Sequence, residues 1–190
     1  MSALRVARAQ DAEAVCAIYA PIVETTSISF ELTASSAPKM AQRIINAMQM
    51  YPWLVEETAD GAIAGYAYAS RHRARGVYGW SVDVTVYVAE TSRRRGVGGR
   101  IYTALLDTLR VQGFRAAFAG IALPNAASVA LHETLGGAPV GIYRAVGHKL
   151  GDWRDVGWWR RALYDDDAPP HPAIPFRDLD ASLLAPMGSP

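Results

Sequence analysis

The stretch Arg93-Arg94-Arg95-Gly96-Val97-Gly98-Gly99 joins two segments of opposite periodicity. Before it runs the β-branched alternation Val82-Asp83-Val84-Thr85-Val86-Tyr87-Val88. After it, Ile101, Leu105, Leu106 and Leu109 recur at helical spacing, so the run reads as a strand-to-helix turn. The first N–H groups of a helix lack intrahelical acceptors and sit at its positive end. A basic, glycine-rich turn at that point suits a phosphate or pyrophosphate, because glycines admit positive φ and let a ligand approach the backbone.

The neighbouring residues narrow the choice. A P-loop needs Lys-Ser/Thr after its last glycine, and Arg100-Ile101 stands there instead. The dinucleotide fingerprint fails because its third glycine would fall on Ile101. Upstream, Leu4 to Ala7 reads as a strand, and Asp11 as the N-cap of a helix Ala12–Tyr19 that Pro21 interrupts or ends. Ser36-Ala37-Pro38 opens a helix to about Met50. Trp53–Glu57 and Ile63–Ser70 form a hairpin around Asp60-Gly61. Downstream of the helix Val97–Gln112 come a strand Ala116–Ala122 and a helix from Pro124-Asn125 to Gly136-Gly137. Strands at about Pro139–Val146 and Val156–Leu163 follow.

With 190 residues and 51% hydrophobic content, the chain suits one domain over residues 1–164. The Pro-rich segment 165–190 is expected to be poorly ordered or draped over the surface. A net charge of +1 argues against a nucleic-acid or membrane-surface binder, although seven arginines cluster between Arg71 and Arg100. The single cysteine, Cys16, excludes an internal disulfide and a cysteine metal cluster, and no metal is expected. Met1 to Gln10 carries no long apolar segment, so a cytoplasmic location is the default.

Arg93-Arg94-Arg95-Gly96-Val97-Gly98 fits the Arg/Gln-x-x-Gly-x-Gly/Ala pattern of the GCN5-related N-acetyltransferases. The resemblance extends from Tyr51 to about Leu163, carried by Gly65-Tyr66-Ala67-Tyr68-Ala69, Trp80 to Val88, Leu123-Pro124-Asn125 and Leu131-His132-Glu133. Gly151-Asp152-Trp153-Arg154-Asp155-Val156-Gly157 and the upstream Ser27-Ile28-Ser29-Phe30-Glu31 add to it. Within that superfamily the chain resembles the phosphinothricin and methionine sulfoximine acetyltransferase branch. The resemblance implies an α/β (α+β) fold, with a mixed, mostly antiparallel twisted sheet splayed between its central strands and flanked by helices. It also implies a homodimer, acetyl-coenzyme A as co-substrate and the α-amine of a small amino acid as acceptor.

Acetyl transfer sets chemical demands of its own. An ammonium has no lone pair, so a base must take a proton before or during attack. The resemblance puts Asp83 at that position, where relatives usually carry Glu; the shorter side chain favours a relay water. Val86, Tyr87 and Val88 are expected along the pantetheine arm, and the amides of Arg94 to Gly99, with the Arg93 or Arg94 charge, on the phosphates. Asn125, Ser128 and His132 share one helix face. His132 could protonate the leaving thiolate, order a water or hold the cofactor. For the acceptor, the resemblance singles out Phe30, Arg73, Arg75, Tyr78 and Lys149, a guanidinium fork matching a carboxylate or phosphinate. Glu31 could attract the ammonium, while Trp153, Trp158 and Trp159 read as core or interface residues. Two other readings stay open: a non-catalytic acyl-coenzyme A binding module, and an acetyltransferase acting on a protein N-terminus, a lysine or an aminoglycoside.

Overall fold

A computed structural model describes residues 2–165 and 171–180. In chain order the elements are β1 (Ala3–Val6), α1 (Ala12–Thr25), α2 (Ala37–Ala47), β2 (Trp53–Glu57), β3 (Ile63–Arg71) and β4 (Ser81–Val88). Then follow α3 (Val97–Gln112), β5 (Ala116–Leu123), α4 (Ala126–Thr134), β6 (Ala138–Lys149) and β7 (Asp152–Ala162). The strands form one seven-stranded sheet in the order β1-β2-β3-β4-β5-β7-β6. Only the β4–β5 pair is parallel; the others are antiparallel.

Strand parity divides the core into two layers. Leu54, Ala67, Val82, Val84, Ala117, Ala119 and Ile121 pack with Ile101, Leu105 and Leu109 of α3. Trp53, Val55 and Tyr66 pack on the opposite face with Val15, Tyr19 and Val23 of α1 and Met40 and Ile44 of α2. Successive strand residues point to opposite faces. Asp83, Thr85 and Tyr87 therefore look away from α3, into the face that α1 and α2 only partly cover.

Several boundaries differ from those read in the sequence. Pro21 does not end α1, which continues to Thr25. The extra turn buries Ile22 and Val23, and the hydroxyls of Thr25 and Thr26 donate to the carbonyls of Pro21 and Ile22. These contacts outweigh the lost hydrogen bond and ring clash of an interior proline. Asp11 precedes α1 but does not cap it with its side chain. Its carboxylate instead takes two 2.8 Å bonds from Arg5 and one of 2.7 Å from the Arg8 amide. The helix α2 stops at Ala47, whose carbonyl accepts from the amides of Met50 and Tyr51. The last two strands run longer than expected and turn at Leu150 and Gly151, both at positive φ.

Of the segment beyond residue 164, residues 171–180 drape over the end of α3. The Ile174 amide donates to Gln112 O, the Phe176 amide to Met50 O, and the Trp80 indole to His171 O. Phe176 is buried there. Residues 166–170 and 181–190 lie outside the described residues. No described helix is long and apolar enough to cross a membrane.

Candidate active site

The two central strands pair only briefly. Ser81, Val82 and Asp83 register with Ala116, Ala117 and Phe118, after which β4 continues along β3 and β5 along β7. The sheet splits into a V with Asp83 at its apex. The Ala89 amide donates to Ala64 O on β3. By the period of two, Thr85 and Tyr87 also direct their backbone groups to β3, while Val84, Val86 and Val88 direct theirs into the V. Val86 and Val88 thus present to the cleft amides and carbonyls that neither neighbouring strand pairs. Tyr87 does not: its backbone belongs to the β3 ladder, and its ring packs with Tyr19 and Tyr66 at 5.2 and 5.5 Å.

The mouth of the V is closed by the start of α3. Gly96, its N-cap, has φ +77°, and Arg94 beside it has φ +58°. The first intrahelical bond runs from the Arg100 amide to Gly96 O, which leaves the amides of Val97, Gly98 and Gly99 without helical acceptors. Arg93, Arg94 and Arg95 are exposed around them, Arg93 lying 4.0 Å from Glu90. Arg100 holds the loop in this shape. Its Nη1 donates to Arg95 O at 2.9 Å, and its Nε and Nη2 reach the buried carboxylate of Glu56 at 3.2 and 2.5 Å. The pair lifts the guanidinium's pKa.

The helix α4 forms the far wall. Asn125 caps it by accepting from the Ser128 amide at 3.2 Å, and a Cβ on Gly98 would already touch Leu131 at 3.5 Å. His132 is 4% exposed, edge-on to Tyr102 at 4.7 Å, and its carbonyl accepts from the Gly137 amide. Burial pushes its imidazole down to about 4, so it is neutral at pH 7 and carries no proton to a leaving thiolate as imidazolium. The same shift has a stability signature. An unfolded histidine takes up a proton near pH 6.5 and the folded one only near 4. This contribution is therefore complete above about pH 6.5 and drains away as pH falls toward 4. Urea unfolding of the protein should lose roughly 2–3 kcal/mol between pH 7 and 4.5 that a His132→Phe variant does not lose. Equal losses in the two proteins refute the assignment.

At the apex, Asp83 Oδ1 lies 2.6 Å from His72 Nδ1, with side chains 28% and 11% exposed. Burial raises the Asp83 carboxyl pKa, against the pull of the His72 bond and of the His72 and Arg73 charges. His72 stacks on Phe118 at 4.4 Å and meets Tyr78 and Trp158 edge-on at 5.9 and 6.1 Å. Arg73 lies over Trp158 at 5.4 Å, and Trp158 covers Gly120 of β5, where an added Cβ would lie 3.1 Å from the indole. Arg73, Tyr78 and Asp83 therefore line one chamber, with Arg75 exposed on the same loop. Sequence reasoning missed His72, Phe118 and Trp158. The signal for His72 was parity: Ser70 registers with Asp83, and His72 follows two residues later.

Lys149 is a correction. Its ammonium is buried and donates to the carbonyls of Val23, Ser29 and Glu31 at 2.6, 2.6 and 2.8 Å, which uses all three of its protons. It fastens the loop after α1 and does not face the chamber. Phe30, on that loop, packs against Gly147, where any Cβ would lie 2.3 Å from the ring. Glu31 is engaged by Arg43 at 2.9 Å. The tryptophans part company: Trp159 is core and donates to Glu133, Trp158 lines the chamber, and Trp153 is 67% exposed.

Comparison with known proteins agrees with this geometry. A family model described as an acetyltransferase (GNAT) domain matches residues 4–158. The phosphinothricin N-acetyltransferase of Streptomyces viridochromogenes is 41% identical over 93% of this chain and 95% of its own. The L-methionine sulfoximine/L-methionine sulfone acetyltransferase of Pseudomonas paraeruginosa is 35% identical over 82% of this chain and 91% of its own. Among solved structures, a phosphinothricin acetyltransferase from Sinorhizobium meliloti, in complex with acetyl-coenzyme A, superposes with a TM-score of 0.86 at 32% identity. That match covers 91% of this chain and 95% of the other. A split sheet, a basic helix start at its mouth and these relatives lead to one conclusion: the chain belongs to the GNAT acetyltransferase family.

Proposed function

We propose that the protein moves the acetyl group of acetyl-coenzyme A to the α-amine of a small amino acid or analogue, of the phosphinothricin or methionine sulfoximine type. The transfer is by direct attack in a ternary complex. The observation that carries this reading is the V itself, with a titratable carboxylate at its apex and unpaired helix amides at its mouth.

The fit to the co-substrate is chemical. The diphosphate takes the amides of Val97, Gly98 and Gly99 together with the charges of Arg93, Arg94 and Arg95. Val86 and Val88 pair with the pantetheine amides as an added strand would. When bound, the thioester supplies an activated acetyl carbonyl. Asn125 and Ser128 shape the wall beside it, and His132, neutral and buried, holds α4 against Tyr102.

For the acceptor, Asp83 gives the chamber the negative charge that draws in an ammonium. Arg75, with Tyr78 beside it, offers a fork to a carboxylate or phosphinate. Phe30, on the loop after α1 and packed against Gly147, is the apolar contact proposed for the acceptor. Direct transfer is favoured over an acetyl-enzyme because Cys16, the only thiol, lies in α1, donates to Ser35 O and has its pKa raised by burial.

Incubation with acetyl-coenzyme A and a panel of amines, with thiol release followed, tests the reading. Turnover is expected on small amino acids bearing a second anionic or sulfoximine group. Cofactor binding by calorimetry without thiol release on any amine identifies a non-catalytic binding module instead. Preference for a peptide N-terminus, a lysine or an aminoglycoside moves the acceptor class.

We also propose a homodimer built on the edge strand β6. Val140, Ile142 and Tyr143 are 60%, 45% and 51% exposed, and Trp153 of β7 is 67% exposed, more apolar surface than an unpaired edge normally carries. Light scattering on the eluting protein should give twice the chain mass, and the variant Val140→Glu should give the chain mass with the fold intact. A monomeric unmodified protein rules this out.

A further inference from the structure

Among the described residues His72 is the one imidazole in the acceptor chamber, and its ring is closely held. Its Nδ1 lies 2.6 Å from Asp83 Oδ1, its face stacks on Phe118 with planes 15° apart, and its edges meet Tyr78 and Trp158. Such confinement restricts the ring to one orientation. A carboxylate at Nδ1 accepts that nitrogen's proton, so a neutral ring bonded in this way has its lone pair on Nε2. No hydrogen bond among the described residues engages Nε2.

We propose that His72 Nε2 is the proton acceptor of the transfer reaction and that Asp83 is its positioning carboxylate. The proposal rests on the acetyl-transfer reading above and changes who takes the proton. One oxygen of Asp83 is already committed to the ring, and a carboxylate is an intrinsically weak base toward an ammonium. An imidazole is better matched to neutral pH, and it extends the reach of Asp83 by the width of a ring. The arrangement is the base-and-orienter half of a hydrolytic triad, used here on an amine.

The acceptor's ammonium gives one proton to Nε2, and the resulting imidazolium is stabilised by the Asp83 carboxylate. The freed nitrogen lone pair forms a bond to the acetyl carbon, and the carbonyl π pair moves to oxygen. As that pair returns, the carbon–sulfur bond breaks. The departing thiolate takes the second proton from the nitrogen, and the imidazolium returns the first to solvent. The products are amide, thiol and one proton.

Two measurements test this. The variant His72→Phe keeps the stack on Phe118 and removes both nitrogens. At pH 7 its kcat/KM for the amine should fall by on the order of 10²-fold or more, with acetyl-coenzyme A affinity by calorimetry unchanged. The deficit should shrink toward pH 9–10, where solution itself supplies the free amine. A rate within twofold of the unmodified protein, or a deficit equal at every pH, overturns the proposal. Independently of activity, nitrogen-15 NMR of the unliganded protein should find His72 as the Nδ1–H tautomer, and Asp83→Asn should relax that preference. A dominant Nε2–H tautomer in the unmodified protein also overturns it. An unmodified protein that acetylates no amine defeats the acetyl-transfer reading, and the proton-acceptor role falls with it. Turnover that survives His72→Phe defeats this proposal alone.

Discussion

Changing Asp83 to Asn is expected to lower kcat/KM for the amine acceptor by about 10²- to 10⁴-fold while leaving the affinity for acetyl-coenzyme A unaltered. The substitution keeps the shape, removes the charge, and offers His72 Nδ1 an amide that can donate as well as accept. That charge attracts the ammonium and compensates the positive charge that appears when the proton moves. The helix-start amides proposed for the diphosphate are remote: from Asp83 to Val88 the strand runs about 16 Å before that turn even begins. Stability separates this outcome from unfolding. Burial raises the carboxyl's pKa, so ionising it costs more in the folded chain than in the unfolded one. A carboxyl with a raised folded value stabilises the fold below its unfolded pKa and gives this up as pH rises through the folded one. At pH 7, Asp83→Asn should therefore leave the melting temperature unchanged or raise it. Unaltered turnover removes Asp83 from the reaction, and a lowered melting temperature that tracks the lost activity reduces it to a structural residue.

Local chemistry explains what the sequence revealed. Gly96 needs positive φ, Gly113 closes α3 at φ +91°, and the apolar spacing between them gives a helix whose limits, Val97 and Gln112, were legible without a structure. The alternation Val82 to Val88 likewise carries its own two faces. What was illegible depends on contacts distant along the chain. Lys149 finds its acceptors more than 110 residues away, so no local pattern distinguishes a structural ammonium from a ligand-facing one. Pro21 is a helix breaker by local rule, overridden by burial of Ile22 and Val23. Adjacency groups Tyr87 with Val86 and Val88, whereas the ladder assigns alternate residues to opposite edges. His72 lies just past β3, beside arginines whose guanidinium forks are the more familiar anion receptors. Its partnership with Asp83 emerges only once β3 and β4 are set in register.

The second large effect is expected at Arg100, outside the chemistry. In Arg100→Met the alkyl stem survives, while Glu56 keeps its carboxylate at 1% exposure without a partner. Breaking a fully buried pair from one side costs about 3–5 kcal/mol; Arg100 is half exposed, so about 2–3 kcal/mol is appropriate. For a chain of this length that lowers the melting temperature by roughly 5–10 °C. The same variant loses the bond to Arg95 O that shapes the phosphate turn, so acetyl-coenzyme A should bind about tenfold more weakly. The double variant Glu56→Met/Arg100→Met separates the two effects. Without the orphaned charge, stability should return most of the way, since apolar residues replace buried ion pairs at little cost. Affinity should stay low, because nothing restores the Arg95 contact. If the double variant regains cofactor affinity together with its melting temperature, the turn is shaped by the helix alone and Arg100 merely neutralises Glu56.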